Sequence, residues 1–164
     1  PKVRLIFLLR EPVRRAWSDY QMYVKAGVRQ PPFEDMVRQS IAWLRDPDLA
    51  PLVEAAEVRA INPVRIVSVG MYARNLKRWL QSFPREQMLF LFTEELETAT
   101  DRVLASTWEF LGMAPHPIPQ QPTARKGDYQ GQTPSPEAAE ALSAFYQSVN
   151  SDLSEVIRRP LPWP

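Results

Sequence analysis

Two apolar runs, Leu5 to Leu9 and Met88 to Phe92, constrain this chain more than any other feature. They are its longest uninterrupted apolar stretches, five residues each, and polar residues follow both directly: Arg10-Glu11 after the first and Thr93-Glu94-Glu95 after the second. Short continuous runs of this kind suit strands buried on both faces of a parallel sheet. They fall far short of the roughly 20 apolar residues that a membrane-spanning helix needs. The first is also shorter than the apolar stretch of a secretory signal, and Arg10 and Glu11 stand where small residues would prepare a cleavage site. The expectation is a soluble, cytoplasmic protein with no transmembrane segment.

The segments around the runs read as helices. After Val3 to Leu9, Pro12 fits a first helical turn, and Val13, Trp17, Tyr20 and Val24 repeat at helical spacing up to a stop at Gly27. Pro31-Pro32 precedes a second amphipathic helix from Phe33 to about Leu44. Between Asp46 and Ser68 the pattern suggests a short helix over Leu52 to Val58 and an extended piece at Val64 to Val69. Tyr72, Leu76, Trp79, Leu80 and Phe83 mark another helix, ended by Pro84. Val103 to Leu111 belong to one that Gly112 closes, and Glu94-Glu95-Leu96-Glu97 opens a helix whose dipole favours acidic residues. Ser135-Pro136 starts a last helical region reaching about Arg158, with a break near Asn150. Trp17, Tyr20, Trp79, Phe83, Trp108, Phe110 and Phe145 fall mostly on apolar faces and are expected in the core. Strand, helix and strand in alternation are the grammar of an α/β fold. A 164-residue chain that is 45% hydrophobic and 24% charged can bury a core of its own, and a single domain over 1–164 is expected.

Several chemistries drop out by elimination. There is no cysteine, so thiol nucleophiles, disulfides and thiolate metal sites are excluded. The single histidine, His116, lies in Pro115-His116-Pro117, which reads as a linker, and one imidazole cannot form a multi-histidine metal site. Glycine is scarce, five residues against 17 prolines, and neither GxxxxGK[ST] nor GxGxxG occurs. A bound phosphate must therefore be held largely by side chains and helix ends.

Three features could bind an anion. Arg10 lies where the first strand stops and a helix begins, the end of an α/β sheet where ligands gather and where free backbone N–H groups await an anion. Its guanidinium can give two parallel hydrogen bonds to an oxyanion, and Ser18, two helical turns further on, offers a hydroxyl. The same residues also suit a solvated Arg-Glu pair and a polar helix surface. Arg125-Lys126-Gly127 ends a proline-stiffened loop that starts near Ala114. Two cations beside a flexible glycine can fold over a phosphate, or can simply be solvated. Finally, residues 1–30 carry seven cations against two carboxylates. The charges are spread around the predicted helix without a nucleic-acid motif, and the net charge of the whole chain is only +1, so nucleic acid is not an expected partner.

Taken together, these segments resemble a known family. The run Ile6-Phe7-Leu8-Leu9-Arg10-Glu11-Pro12-Val13-Arg14-Arg15-Ala16-Trp17-Ser18 is similar to the 3′-phosphate-binding signature of sulfotransferases that use 3′-phosphoadenosine 5′-phosphosulfate (PAPS). Gly70-Met71-Tyr72, leading through Leu76 and Trp79 to Phe83-Pro84-Arg85-Glu86-Gln87 and a strand ending near Glu94-Glu95-Leu96, resembles the middle of its heparan-sulfate-type and bacterial branches. The resemblance implies a partial P-loop-NTPase-like three-layer sandwich, a small parallel sheet flanked by many helices. It assigns Arg10 and Ser18 to the 3′-phosphate of the cofactor, and Arg125, Lys126 and Gly127 to the basic loop that closes over it. The implied reaction is transfer of a sulfuryl group from PAPS to a hydroxyl or amine of a carbohydrate or small-molecule acceptor, with no metal required.

The match is to the later part of a family member. The opening strand and P-loop-like segment, with the lysine and hydroxyl residues that hold the 5′-phosphosulfate, have no counterpart, so an N-terminally incomplete domain is expected. Some N-sulfotransferase relatives carry a histidine four residues beyond the signature serine, where this chain has Met22. No catalytic base is assigned. The alternative is a catalytically inactive fragment or adenosine-bisphosphate-binding module with a structural or partner role. A nucleoside kinase, a further reading of the sheet and arginine, would need magnesium.

Overall fold

Leu5–Leu9 (β1) and Met88–Phe92 (β2) pair in parallel, in register from Leu5 opposite Met88 to Leu9 opposite Phe92. The computed structural model describes residues 3–49, 63–116 and 132–163. In chain order the other described elements are α1 (Pro12–Lys25), α2 (Phe33–Arg45), α3 (Pro63–Ser68), α4 (Tyr72–Leu80), a 3-10 turn at Arg85–Gln87, α5 (Thr93–Thr98), α6 (Thr100–Leu111), α7 (Pro136–Val149) and α8 (Leu153–Ile157). The fold is α/β, a small parallel sheet with many helices, as the alternation of segments implies. The expected helix over Leu52 to Val58 lies outside the described residues.

The chain divides into two compact units. The first comprises residues 1–11, 76–126 and 154–164 and contains the sheet. β2 is buried almost throughout, with Phe90 and Phe92 fully so. β1 departs from the expectation of burial on both faces: Phe7 stacks on Phe90, while Ile6 and Leu8 are 43% and 53% exposed. Side chains alternate along a strand, so β1 buries one set and presents the other. Trp79, expected in the core, is also largely exposed and meets Phe7 edge-on with its ring centre 5.8 Å away.

The second unit, residues 12–75 and 127–153, holds an apolar cluster built by α1, α2, α3 and α7. Ala16, Phe33, Met36, Val37, Ile41, Leu142 and Phe145 are among its buried members, and Val13, Trp17 and Tyr20 pack against it. Val24 does not share their burial, although Tyr23 beside it in the last turn packs against the cluster. The extended piece expected at Val64 to Val69 is instead helical over Pro63–Ser68. The β-branched residues suggest a strand by propensity, but Val64, Ile66 and Val67 are all buried in the cluster, and that packing decides the conformation.

Local punctuation behaves as expected. Gly27 (φ 75°) and Gly112 (φ 68°) take the left-handed conformation after α1 and α6. In each case the residue after the glycine donates back into the last helical turn, Val28 to Tyr23 and Met113 to Trp108. The Ser135 hydroxyl accepts the Ala138 N–H at 3.3 Å, with Pro136 opening α7.

Candidate functional site

Because β1 and β2 are parallel and in register, they finish side by side, and the residues after each strand meet. The Thr93 hydroxyl donates to the Leu9 carbonyl at 3.1 Å, and the Glu11 N–H donates to Glu94 Oε1 at 2.9 Å. Arg10, half-buried, sits between these two bonds. The backbone on either side of the candidate phosphate-binding arginine is thus held by the two residues that follow β2. Pattern reading takes Glu94 as the start of a helix and as part of the segment that resembles the family, not as a partner of Glu11. The missing signal is the register: Leu9 opposite Phe92 puts Thr93 beside Arg10 and Glu94 beside Glu11.

Ser18 lies in the second turn of α1, half-buried, and belongs to the second unit, whereas Arg10 belongs to the first. Each is placed within its own unit. Arg125, Lys126 and Gly127 lie outside the described residues. The basic opening is partly structural. Arg15 pairs with Asp19 at 2.6 Å and donates to the Ile66 carbonyl, joining α1 to α3, and Arg4 lies over the Phe110 ring at 5.3 Å. Glu95 is engaged as well, by Arg159 at 2.6 Å. Among the described residues no group of three or more His, Asp or Glu side chains is arranged to hold a metal ion.

A cavity of about 370 Å³ opens in the first unit beside β2, lined by Leu89, Phe90 and Leu91 and by Arg102, Val103 and Ser106 of α6. Glu95 and Arg159 complete its lining, and the candidate anion-binding residues Arg10 and Ser18 are not part of it. The candidate anion-binding arginine stands instead at the strand ends, directly after a parallel strand.

In open α/β sheets ligands gather beyond the carboxyl ends of the strands, and Arg10 stands at that end of β1. The chain belongs to the sulfotransferase domain family, whose sequence profile matches residues 1–125. It is 27% identical to human carbohydrate sulfotransferase 15 over 170 residues, which is 96% of this chain and 30% of that protein. Mouse heparan sulfate glucosamine 3-O-sulfotransferase 3B1 is 32% identical over 111 residues, 67% of this chain and 25% of the relative. The crystal structure of a sulfotransferase from Alicyclobacillus acidocaldarius superimposes with a TM-score of 0.71 at 26% identity, covering 96% of this chain and 56% of that one. The chain therefore spans under a third of the length of these curated relatives.

Proposed function

We propose that this chain supplies the 3′-phosphate-binding part of a PAPS-dependent sulfotransferase acting on a carbohydrate acceptor. The observation that carries the reading is Arg10, which combines a match to the family signature with a position at the end of β1, its flanking backbone tied to Thr93 and Glu94. A guanidinium fork fits a phosphate dianion because it gives two parallel charge-assisted hydrogen bonds, and its charge persists at any physiological pH. Ser18 would add a neutral hydroxyl donor, as the same signature assigns it. Arg125, Lys126 and Gly127 are proposed as the loop over the cofactor. The carbohydrate class follows from relatives named for carbohydrate and heparan sulfate acceptors.

In the proposed reaction the acceptor oxygen or nitrogen forms a bond to sulfur as the bond from sulfur to the 5′-phosphate oxygen breaks. The acceptor proton passes to a base, and adenosine 3′,5′-bisphosphate leaves. The contribution of Arg10 is to hold the nucleotide end in place so that the sulfuryl group presents itself in line.

Calorimetry with adenosine 3′,5′-bisphosphate and its 2′,5′ isomer tests the reading. The 3′,5′ compound is expected to bind more tightly, and Arg10→Ala to remove that preference. The loss should be about 10- to 100-fold, the range for charge-assisted hydrogen bonds worth about 1.5–3 kcal/mol. Equal binding of the two isomers by the unmodified protein would overturn it.

A further inference from the structure

The acidic run after β2 has no place in the signature, yet its first carboxylate does not point idly into solvent. We propose that Thr93 and Glu94 are positioning residues for Arg10, acting as a two-point clamp on the backbone that carries it. The inference rests on the reading of Arg10 as the 3′-phosphate ligand.

The geometry is specific. Arg10 is the single residue between the Leu9 carbonyl, which accepts from Thr93 Oγ1 at 3.1 Å, and the Glu11 N–H, which donates to Glu94 Oε1 at 2.9 Å. The strand ladder ends at Leu9, so past that point sheet pairing no longer fixes the backbone. Fixing the carbonyl before Arg10 and the amide after it restrains both peptide planes that set the direction of its Cα–Cβ bond. A guanidinium must meet a phosphate within tenths of an ångström to give two parallel bonds, and small displacements of a positioning group are costly. Thr93 and Glu94 themselves stand on the end of β2 and the start of α5, so the clamp is anchored to the strand packed against β1.

Electrostatics makes the clamp distinguishable from a bystander. A carboxylate near a phosphate site repels the ligand, so if Glu94 acted only through its charge, neutralising it would strengthen binding. If it acts by accepting the Glu11 N–H, Glu94→Gln, which retains an acceptor oxygen, should preserve the 3′-phosphate preference. Glu94→Ala, which loses the same charge and the acceptor too, should weaken it. Thr93→Ser retains the donor and Thr93→Val, nearly isosteric, removes it.

The experiment measures, for the full chain, the ratio of affinities for adenosine 3′,5′-bisphosphate and adenosine 5′-phosphate, which differ only in the 3′-phosphate. Thermal midpoints are recorded for every variant. The expected result is a ratio about tenfold lower in Thr93→Val and in Glu94→Ala, and near the starting value in Thr93→Ser and Glu94→Gln. A merely structural role would lower both affinities together or lower the thermal midpoint, leaving the ratio unchanged, and that outcome would overturn the clamp. If Arg10→Ala loses the ratio while Thr93→Val and Glu94→Ala keep it, the clamp is wrong and the phosphate reading stands. A ratio near one in the unmodified protein would overturn both.

Discussion

Gly70 is the position where one added carbon has the most readable consequence. A Cβ there would stand 2.6–2.7 Å from Cε1, Cζ and the hydroxyl oxygen of Tyr146, closer than real contacts allow. The ring cannot easily yield, because Tyr146 is buried in the apolar cluster and its hydroxyl donates to the Val67 carbonyl at 2.9 Å. The Gly70 carbonyl is also held, by Asn150 Nδ2 at 2.8 Å, while Asn150 Oδ1 accepts the Ala73 N–H. Gly70→Ala should therefore destabilise the protein by about 1–3 kcal/mol, the usual cost of overpacking, read as a lower urea midpoint at unchanged slope. Ser40 predicts the opposite sign. It is 1% exposed in α2, and its hydroxyl has no hydrogen-bond partner among the described residues. Ser40→Ala removes an unsatisfied polar group and improves helix propensity, so a gain of about 1 kcal/mol is expected in the same titration. A loss there would mean that the hydroxyl is satisfied after all.

At the scale of the element, β2 is closed off by arginines. Alternate carbonyls of a strand point to one edge, and those of Met88 and Phe90 accept from Arg85 at 2.6 Å and Arg159 at 2.8 Å. Both guanidinium groups also lie over aromatic rings of the strand, Arg85 on Phe90 at 4.6 Å and Arg159 on Phe92 at 4.5 Å. Two carbonyls that another strand could pair with are thereby occupied. Arg159→Ala should cost about 2 kcal/mol, because it strands a carbonyl and the half-buried Glu95 together. Arg159→Lys should recover only part of this, since an ammonium cannot reproduce the planar fork that serves both acceptors. Denaturant melts of the two variants would check the order. Neighbouring Arg158 adds strain: its φ is 55°, unusual for a residue with a Cβ, and after burial its charge is the next cause lowering the pKa of Arg85 below the ordinary value. Arg158→Gly should accordingly stabilise the fold by about 1 kcal/mol. Much of this level was legible in the sequence, because five-residue apolar runs and Pro or Gly punctuation are local signals. The Arg159 half of the arginine seal and the clamp at Arg10 were not, since each joins residues more than 60 positions apart in the chain. The strand register brings the clamp residues together, and the chain after α8 brings Arg159 to β2. At Pro63–Ser68 long-range packing likewise outweighs the local signal: burial in the cluster overrides the β-branched pattern.

For the whole molecule, family membership and α/β class were legible because the signature at Arg10 and the Tyr72 and Glu94 segments occur in a fixed order. The remaining contest at this scale is between a protein that recognises one mononucleotide and one that uses its basic opening on a polyanion. The sequence favours the first. The net charge is +1, so no long-range attraction to a phosphate polymer arises from the chain as a whole. Within the opening, Arg15 is engaged by Asp19 and Ile66, and Arg4 lies over Phe110. Non-specific nucleic-acid binders have dissociation constants of about 10⁻⁴–10⁻⁶ M at physiological salt, and their affinity falls steeply as salt rises because condensed counterions are released. This protein should bind a single-stranded oligonucleotide of about 20 residues more weakly than that range at about 0.15 M salt. Its affinity for adenosine 3′,5′-bisphosphate should decline only gently between about 0.05 and 0.2 M, since a small ligand has few condensed counterions to release. Fluorescence anisotropy of a labelled oligonucleotide across that range decides the matter. Micromolar binding with a steep logarithmic slope would show that the opening cations act as a surface for polyanions, and Arg10 would then be one contact among several in place of a ligand for one phosphate.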